Sequence, residues 1–334
     1  MKCFISGVAG FLASHAADQL LASGHEVVGV DSFIGGDLSN VPDGVEFYEA
    51  DCGDLDAMVA YSKGCDVMVH AACTAYEGLS VFSPHFITQN TFQITSTLLS
   101  AAVQSNVKKF LYCSSMARYG SQETLPFTEN MECRPQDPYG IAKFASELLV
   151  RNLCDVHGLS YVIFVPHNII GPRQKYDDPF RNVASIMINR MLSGAQPIIY
   201  GDGSQKRCFS FVEDSISCFE QALYRDDVNG QVYNIGPDEE FVTINALAEE
   251  IAEILNFDLV PIYVPSRPQE VDFAHCSADR IRKEFGYMTK TTLREGLEKL
   301  AEYIIQEGPK PFKYHINVEI KNDLTPSTWK EQLF

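Results

Sequence analysis

Short apolar runs alternate with segments of helical period along the first 170 residues of the chain. The opening stretch predicts a strand at 2–6, a glycine turn at 7–13, a helix at 14–21 and a second strand at 26–30, which together form a βαβ unit. Further strands are predicted at 45–49, 66–70, 109–113 and 161–165, and helices at 91–104 and 138–157. This alternation predicts an α/β fold with a doubly wound parallel sheet.

The pattern changes after about residue 168, where proline and glycine interrupt the alternation. We therefore predict a first domain at 1–168 and a smaller substrate-binding lobe at 169–206 and 237–308. The segment 207–236 is expected to return to the first domain, because it contains a helical stretch and a further apolar strand. Helices are predicted near 243–256 and 292–305. The remaining residues 309–334 contain the only tryptophan and no motif that indicates a chemical function, so packing or a subunit contact is expected there.

Composition narrows the classes of partner. The net charge of -18 repels phosphates and anionic lipid, so neither nucleic acid nor a membrane surface is expected as a partner. No apolar stretch approaches the roughly 20 residues of a membrane span, and the first residues lack a signal-peptide pattern, which predicts a soluble, cytoplasmic protein. The ten cysteines are scattered singly and are predicted to be reduced, mostly buried thiols. No metal site is predicted.

A glycine-rich turn between the first strand and helix predicts a dinucleotide site. Gly7 permits the tight turn, Gly10 lets the backbone approach a pyrophosphate, and Ala13 allows close helix packing. Asp31 ends the second strand, where a carboxylate accepts hydrogen bonds from the adenosine ribose and repels a 2′-phosphate. Because no arginine follows it, we expect NAD rather than NADP.

A tyrosine and a lysine four residues apart begin the long helix at 138–157. Tyr139 and Lys143 share one helix face, and an ammonium group beside a phenol, with oxidised nicotinamide nearby, is expected to lower the tyrosine pKa towards working pH. The apolar strand before Ser115 ends at the carboxyl edge of the sheet, where open α/β folds bind ligands. We therefore expect Tyr139 to act as the base on a substrate hydroxyl that Ser115 also binds.

Taken together, these motifs resemble the extended short-chain dehydrogenase/reductases, and most closely the UDP-glucose 4-epimerases among them, up to about residue 306. The first domain is accordingly expected to be Rossmann-like. The motifs that carry the resemblance are Gly7 to Ala13, Asp31, Asp51-Cys52, His70-Ala71-Ala72, Asn90, Ser115 with Tyr119-Gly120, Tyr139 to Lys143, His167 to Pro172, Gly201-Asp202-Gly203, Arg207 and Arg267 to Val271.

The resemblance implies residues that hold NAD. In addition to the glycines and Asp31, it places Asp51 and Cys52 beside the adenine, Ala71 and Ala72 along the dinucleotide, and His167 by the nicotinamide. It further implies cofactor contacts from Phe11, Leu12, Asn90, Tyr139 and Lys143.

The resemblance also implies a site for a nucleotide sugar. Arg207 and Arg267 would bind its diphosphate, since guanidinium groups pair bidentately with phosphate oxygens, and Glu270 would bind its ribose. Asn168, Asn182 and Ser115 would complete the site. Departures from the family pattern are Cys208, where aspartate often follows the arginine, and Cys52, where an aliphatic residue is usual.

The expected activity is NAD-dependent epimerisation of a UDP-hexose at C4 through a 4-keto sugar. Relatives that dehydrate or decarboxylate their sugar carry acids just after the catalytic serine or threonine, whereas this chain has Met116 and Ala117. A 4,6-dehydratase, a keto-sugar reductase and a non-catalytic NAD-binding regulatory protein stay open as alternatives.

Two finer expectations follow from the same family. Ala274, seven positions after Arg267, would border the sugar and leave room for an N-acetyl group. A homodimer is expected through the helices 91–104 and 139–155, with Leu98, Leu99, Phe144 and Leu148 at the contact.

Overall fold

The apolar runs of the first domain form one seven-stranded sheet in which every neighbouring pair is parallel. A computed structural model describes all 334 residues. The strands of this sheet are β1 (Lys2–Ser6), β2 (Glu26–Asp31), β3 (Glu46–Glu49), β4 (Val67–His70), β5 (Lys109–Cys113), β6 (Ser160–Pro166) and β11 (Gln231–Ile235). Their order across the sheet is β11-β6-β5-β4-β1-β2-β3.

Short strands outside this sheet belong to the second lobe and pair in three small groups. Arg207 lies in one of them, so of the segment 207–236 only β11 joins the large sheet as a strand, while the helix at 212–224 packs on its face. The small strands are β7 (Asn168–Ile170), β8 (Ile198–Tyr200), β9 (Lys206–Arg207), β10 (Phe209–Phe211), β12 (Val242–Thr243), β13 (Ile262–Val264) and β14 (Phe273–Ala274).

Helices cover both faces of the large sheet, which confirms the predicted doubly wound, Rossmann-like α/β fold. One apolar core lies between the sheet and the helices at 55–62, 94–104 and 138–157. The other lies between the sheet and the helices at 11–22, 212–224 and 279–285. Burial on both faces explains why a strand such as β5 is buried at every position. The helices are α1 (Phe11–Ala22), α2 (Leu55–Ser62), α3 (Glu77–Ser80), α4 (Pro84–Thr88), α5 (Ile94–Gln104), α6 (Pro138–His157), α7 (Val183–Leu192), α8 (Val212–Tyr224), α9 (Ile244–Leu255), α10 (Asp279–Phe285), α11 (Leu293–Glu307) and α12 (Ser327–Lys330).

The strand order reverses at β1, which has β2 on one side and β4 on the other. In open parallel sheets the ligand crevice lies outside the carboxyl ends of the strands at this switch point. A third apolar core, built by α7, α9 and α11, holds the second lobe together opposite that edge. The cleft between the two lobes therefore opens above β1 and β4.

The helix predicted from residue 91 begins earlier and is irregular. Helix α4 passes into a π-helical turn over Gln89–Gln93 before α5 begins, and Asn90 has φ -87° and ψ 16° inside that turn. A wide turn of this kind changes the direction of the side chains around it and is frequent at functional sites. Asn90 consequently faces the cleft.

Two of the four apolar residues expected at the subunit contact are not on the surface. Leu98 and Leu99 are completely buried against the sheet, because they point into the core rather than away from it. Leu148 is 52% exposed and remains available on α6.

The segment 309–334 packs against the rest of the chain. Trp329 is 4% exposed and joins a cluster with Phe82 and Phe180 from two other segments. All ten cysteines are free and eight of them are buried. None of the helices combines the length and the apolar character that a membrane crossing requires.

Candidate active site

The cleft between the lobes has a volume of about 450 Å³, within the size range of small-molecule sites. All twenty of the residues that the sequence assigned to cofactor, substrate or catalysis line it, although they come from positions 7 to 274. They are Gly7, Gly10, Phe11, Leu12, Asp31, Asp51, Cys52, Ala71, Ala72, Asn90, Ser115, Tyr139, Lys143, His167, Asn168, Asn182, Arg207, Arg267, Glu270 and Ala274.

The glycine turn forms a cradle with no room for side chains. Gly7 has φ +76°, and a Cβ atom there would lie 2.9 Å from the Cα atom of Ala72 on the neighbouring strand end. A Cβ atom on Gly10 would lie 2.9 Å from the carbonyl oxygen of Gly7. No side chain caps the start of α1, and its first turn holds no acid. Its amide groups are thus available to an anion such as a pyrophosphate.

Asp31 closes the adenosine side of this cradle. Its carboxylate is 7% exposed and accepts hydrogen bonds from the amides of Ala9 (3.0 Å) and Phe33 (2.7 Å). Burial raises the pKa of Asp31, and these amides oppose the increase. Each carboxylate oxygen can accept more than one hydrogen bond, which leaves capacity for ribose hydroxyls. Buried Cys52 lies nearby, while Asp51 is exposed and caps its own turn through Gly53.

The start of α6 fixes the position of Tyr139. Asp137 caps the helix by accepting from the amide of Gly140 at 2.9 Å, and Pro138 occupies the first turn. A Cβ atom on Gly140 would lie only 2.6 Å from the carbonyl oxygen of Ala117, so the helix touches the turn that follows Ser115. Ser115 itself caps that turn by accepting from the amide of Ala117.

Tyr139 and Lys143 lie on the same face of α6, as predicted from their spacing. Both are buried, at 4% and 2% exposure, and the Lys143 Nζ atom lies 5.9 Å from the centre of the tyrosine ring. The ammonium group donates to the carbonyl oxygen of Cys113 at 2.7 Å, which anchors it to the end of β5. The lysine is therefore held in place by the sheet rather than by solvent.

The lowered pKa expected for Tyr139 beside oxidised nicotinamide stays a prediction, because the chain alone shifts this pKa in the other direction. Burial raises the pKa of Tyr139 well above its usual value, and the nearby Cys73 thiol adds to the increase. Lys143 and the hydrogen bond with Ser115 act in the opposite direction but do not outweigh burial. A phenolate in so dry a site requires additional positive charge beside it.

A buried ion pair lies behind the catalytic groups. Arg118 Nη1 and Glu147 Oε2 are 3.2 Å apart, with side-chain exposures of 4% and 0%. The other oxygen of Glu147 accepts from the hydroxyl of Ser114. Because Arg118 follows Ser115 and Glu147 follows Lys143 by one helical turn, this network joins the two segments that carry Ser115 and Lys143. A salt bridge or a cap is the role expected for Arg118 from the sequence, but the partner Glu147 is 29 positions away and only the fold identifies it.

His167 offers an unpaired nitrogen to the cleft. It is 2% exposed, and its Nδ1 atom lies 3.1 Å from the carbonyl oxygen of Pro237. Burial lowers its pKa to about 4, so the ring is neutral at physiological pH. Its Nε2 atom has no hydrogen-bond partner within the chain. An unpaired buried nitrogen in the cleft fits a polar ligand group such as a nicotinamide amide.

The two arginines of the second lobe converge on one carboxylate. Arg267 binds Glu270 through two nitrogens, at 2.8 and 3.2 Å, and Arg207 approaches the same carboxylate at 3.7 Å. Burial raises the pKa of Glu270, but the two guanidinium groups bring it below its usual value. Two guanidinium groups at one place can pair with phosphate oxygens, so this wall is suited to a diphosphate.

The substrate-side asparagines and Ala274 complete that wall. Asn168 donates to the carbonyl oxygen of Cys208 at 2.9 Å, and Asn182 stands at φ +65° before α7. Ala274 is 6% exposed, and its backbone pairs with that of Arg207 across β14 and β9.

Sequence reasoning missed Glu77, a carboxylate in the cleft. Burial raises its pKa to about 7, and Asp137 adds to the increase, whereas Arg207 and Arg267 oppose it. The side chain is open to the water in the cleft although protein surrounds it on all sides. No motif marked it, because it begins the short helix α3 in an irregular connection. Further cleft residues without a sequence signal are Cys73, Arg181, Tyr200 and Phe334.

Comparisons with known proteins show the family of this chain. The model of the NAD dependent epimerase/dehydratase family matches residues 3–236. A UDP-glucose 4-epimerase of Mycolicibacterium smegmatis is 31% identical over 313 residues, which are 91% of this chain and 98% of that protein.

Two solved structures extend the agreement to the fold. The UDP-glucose 4-epimerase of Thermotoga maritima, solved with UDP-glucose, is 29% identical and has a TM-score of 0.86 over 92% of this chain and 99% of its own. The corresponding enzyme of Thermus thermophilus, solved with NAD, is 27% identical, with a TM-score of 0.85 over 91% of this chain and 99% of its own. The family match and the NAD complex confirm the prediction of NAD as the cofactor.

Proposed function

Because the chain belongs to the NAD dependent epimerase/dehydratase family, we propose that it interconverts the C4 epimers of a UDP-hexose. The observation that carries the proposal is that the turn after Ser115 carries no acid for a second proton transfer. Tyr139, Lys143 and Ser115 meet at the end of β5, and the two residues after the serine, Met116 and Ala117, are buried and carry no acid. A second proton transfer from that turn is therefore not available.

The proposed cycle depends on the hydroxyl of Tyr139. As the phenolate it takes the proton of the C4 hydroxyl while the C4 hydride leaves, and as the phenol it returns a proton when the hydride returns to the other face of the keto sugar. Ser115 binds the same substrate oxygen, and Lys143 stabilises the phenolate. When bound, NAD supplies the hydride acceptor and donor at C4 and the positive charge that the buried tyrosine needs.

Residues of the opposite wall would keep the sugar in the cleft while it turns. Arg207 and Arg267 would hold the diphosphate, which leaves the sugar free to rotate about its link to the phosphate. Glu270, at present bound by both arginines, would bind the ribose. Asn168 and Asn182 would contact the sugar from the second lobe, and Ala274 would border its C2 substituent.

The test is an assay without added cofactor. The purified protein is incubated with UDP-glucose, UDP-galactose and their N-acetylated forms, and the products are followed by NMR. We expect C4 epimers as the products. We also expect Tyr139→Phe to remove most turnover while bound NAD, released by denaturation, stays at the wild-type amount. Undiminished turnover in that variant would refute the catalytic role of Tyr139.

Glu77 is the observation that keeps a 4,6-dehydratase as the second candidate. Dehydration requires an acid to deliver a proton to the leaving C6 hydroxyl, and Glu77 has a pKa of about 7 at the cleft. A 4-keto-6-deoxy sugar in the same NMR experiment would favour this reaction. Stoichiometric consumption of NADPH would instead indicate the reductase, and the absence of any turnover would indicate the regulatory protein.

The homodimer also remains a proposal. Ile141 and Leu148 are both 52% exposed and lie seven residues apart on α6, so they share one face of the helix. Light scattering at micromolar concentration should give a dimer, and Leu148→Glu should shift it towards the monomer. A monomeric wild type would contradict the proposal.

A further inference from the structure

The segment 309–334 reaches the substrate cleft, although the sequence assigned it no role. Phe334 lines the cleft together with Ile198 and Tyr200 of β8. The same segment contacts the first domain, where Ser83 donates to the carbonyl oxygen of Asn317, and the amide of Ile320 donates to that of Phe82. It thus bridges both walls of the cleft.

Thr328 of this segment holds Tyr200 directly. The two hydroxyl oxygens are 2.5 Å apart, and Thr328 is completely buried. The ring of Tyr200 also contacts Arg267, whose guanidinium carbon lies 4.5 Å from the ring centre. The buried threonine therefore supports the ring on which Arg267 rests.

A second set of contacts holds Phe334 beside the same strand. Arg190 donates to the carbonyl oxygens of Leu333 (3.2 Å) and Gln196 (2.8 Å), and its guanidinium carbon lies 5.5 Å from the ring of Phe334. The hydroxyl of Tyr314 accepts from the amide of Phe334 and donates to the carbonyl oxygen of Thr328. Phe334, Thr328 and the start of β8 are consequently one connected unit.

The order of sugar, diphosphate and nucleoside in a nucleotide sugar indicates which part of the substrate would reach Tyr200 and Phe334. A substrate with its sugar at Tyr139 and its diphosphate at Arg207 and Arg267 extends its nucleoside beyond the arginines. The ring of Tyr200 contacts Arg267, and Phe334 lines the same cleft, so two aromatic rings that suit a planar base are present at the arginine end.

We propose that the segment 309–334 forms the nucleoside end of the substrate cleft, with Phe334 as a binding residue and Thr328 as the positioning residue for Tyr200. The inference rests on the proposed binding of a UDP-sugar. It makes the segment a determinant of nucleotide affinity rather than of the chemical step.

The experiment measures UDP binding by calorimetry and steady-state kinetics for Thr328→Val and Phe334→Ala. Loss of a hydrogen bond or of a ring contact should weaken UDP binding and raise KM by about two- to tenfold, with kcat nearly unchanged. Leu324→Ala, at a residue of the same segment that is 68% exposed, is the matched control and should bind UDP as the wild type does. Thermal midpoints and bound NAD confirm that each variant is folded.

The outcomes separate this inference from the proposed function. Binding of UDP within twofold of wild type in both variants overturns the inference, even if the protein epimerises UDP-hexoses. Weaker binding in both variants supports it, even if the wild type shows no epimerisation. A wild type that does not bind UDP overturns it outright. A decrease in kcat at unchanged KM would also contradict it, because the segment would then act on the chemical step.

Discussion

The two walls of the cleft hold their charged groups in different ways. On the catalytic wall, Lys143 is anchored to a backbone carbonyl, and the Arg118–Glu147 pair behind it is almost inaccessible to water. On the substrate wall, Arg267 and Glu270 pair with each other at exposures of 24% and 16%. The first wall is arranged before any ligand arrives, whereas the proposed binding of a diphosphate requires the second to exchange its internal partners for those of the substrate.

The difference follows from burial. A charge in a dry interior has no alternative partner, so its geometry is fixed and its loss is costly. A partly exposed charge exchanges its partner for water or a phosphate at little cost. Variants on the two walls should therefore separate stability from affinity.

The largest effect is expected from breaking the buried pair. Arg118→Met leaves Glu147 buried and unpaired, which should lower the free energy of unfolding by about 3–5 kcal/mol. Urea unfolding measures this change. The control is Arg134→Met at an exposed pair, in which Arg134 and Glu132 are 66% and 71% exposed, and it should change the free energy by about 0–1 kcal/mol. Equal losses in the two variants would remove the distinction between the walls.

Arg267→Met should have the opposite profile. Removal of one charged contact to the diphosphate should raise KM for the UDP-sugar by about tenfold or more, with little change in the free energy of unfolding. Kinetics and urea unfolding on the same preparation decide it. A loss of stability as large as that of Arg118→Met would show that the substrate wall is as rigid as the catalytic wall.

Ala274→Tyr should reduce turnover of N-acetylated substrates selectively, by about tenfold. The bulky ring would fill the space beside the C2 substituent, while unsubstituted hexoses would still fit. Phe273→Tyr is the matched control, because the neighbouring residue on a strand points to the opposite face and is 50% exposed. Equal losses on both sugars, or none, would show that Ala274 does not border the sugar.

The smallest effect is expected in the pH dependence of stability that the titration of Glu77 causes. Burial, and then Asp137, raise the folded-state pKa of this acid from 4.5 to about 7. Its contribution to stability is therefore fully present below pH 4.5 and is lost as the pH rises through 7. Water in the cleft screens the charge, so the loss should be at most about 1 kcal/mol. Thermal unfolding of Glu77→Gln should lack this decrease, and an unchanged pH profile would contradict the assignment.

The sequence by itself determined the features that depend on neighbouring residues. Alternation of apolar runs predicted the parallel sheet, because burial on both faces requires continuous apolar strands. Gly7, Gly10 and Asp31 belong to one βαβ unit, and Tyr139 and Lys143 are one helical turn apart. Such distances are set by local backbone geometry, so the pattern of residues was sufficient to predict them.

Only the tertiary structure decided the features that join distant segments. Glu77, Tyr200 and Phe334 reach one cleft from three connections that share no motif. The sign of the Tyr139 pKa shift also depended on how many protein atoms surround the phenol, which spacing alone does not report. Packing determines which distant side chains meet and how dry their contact is, and both quantities arise only when the whole chain has folded.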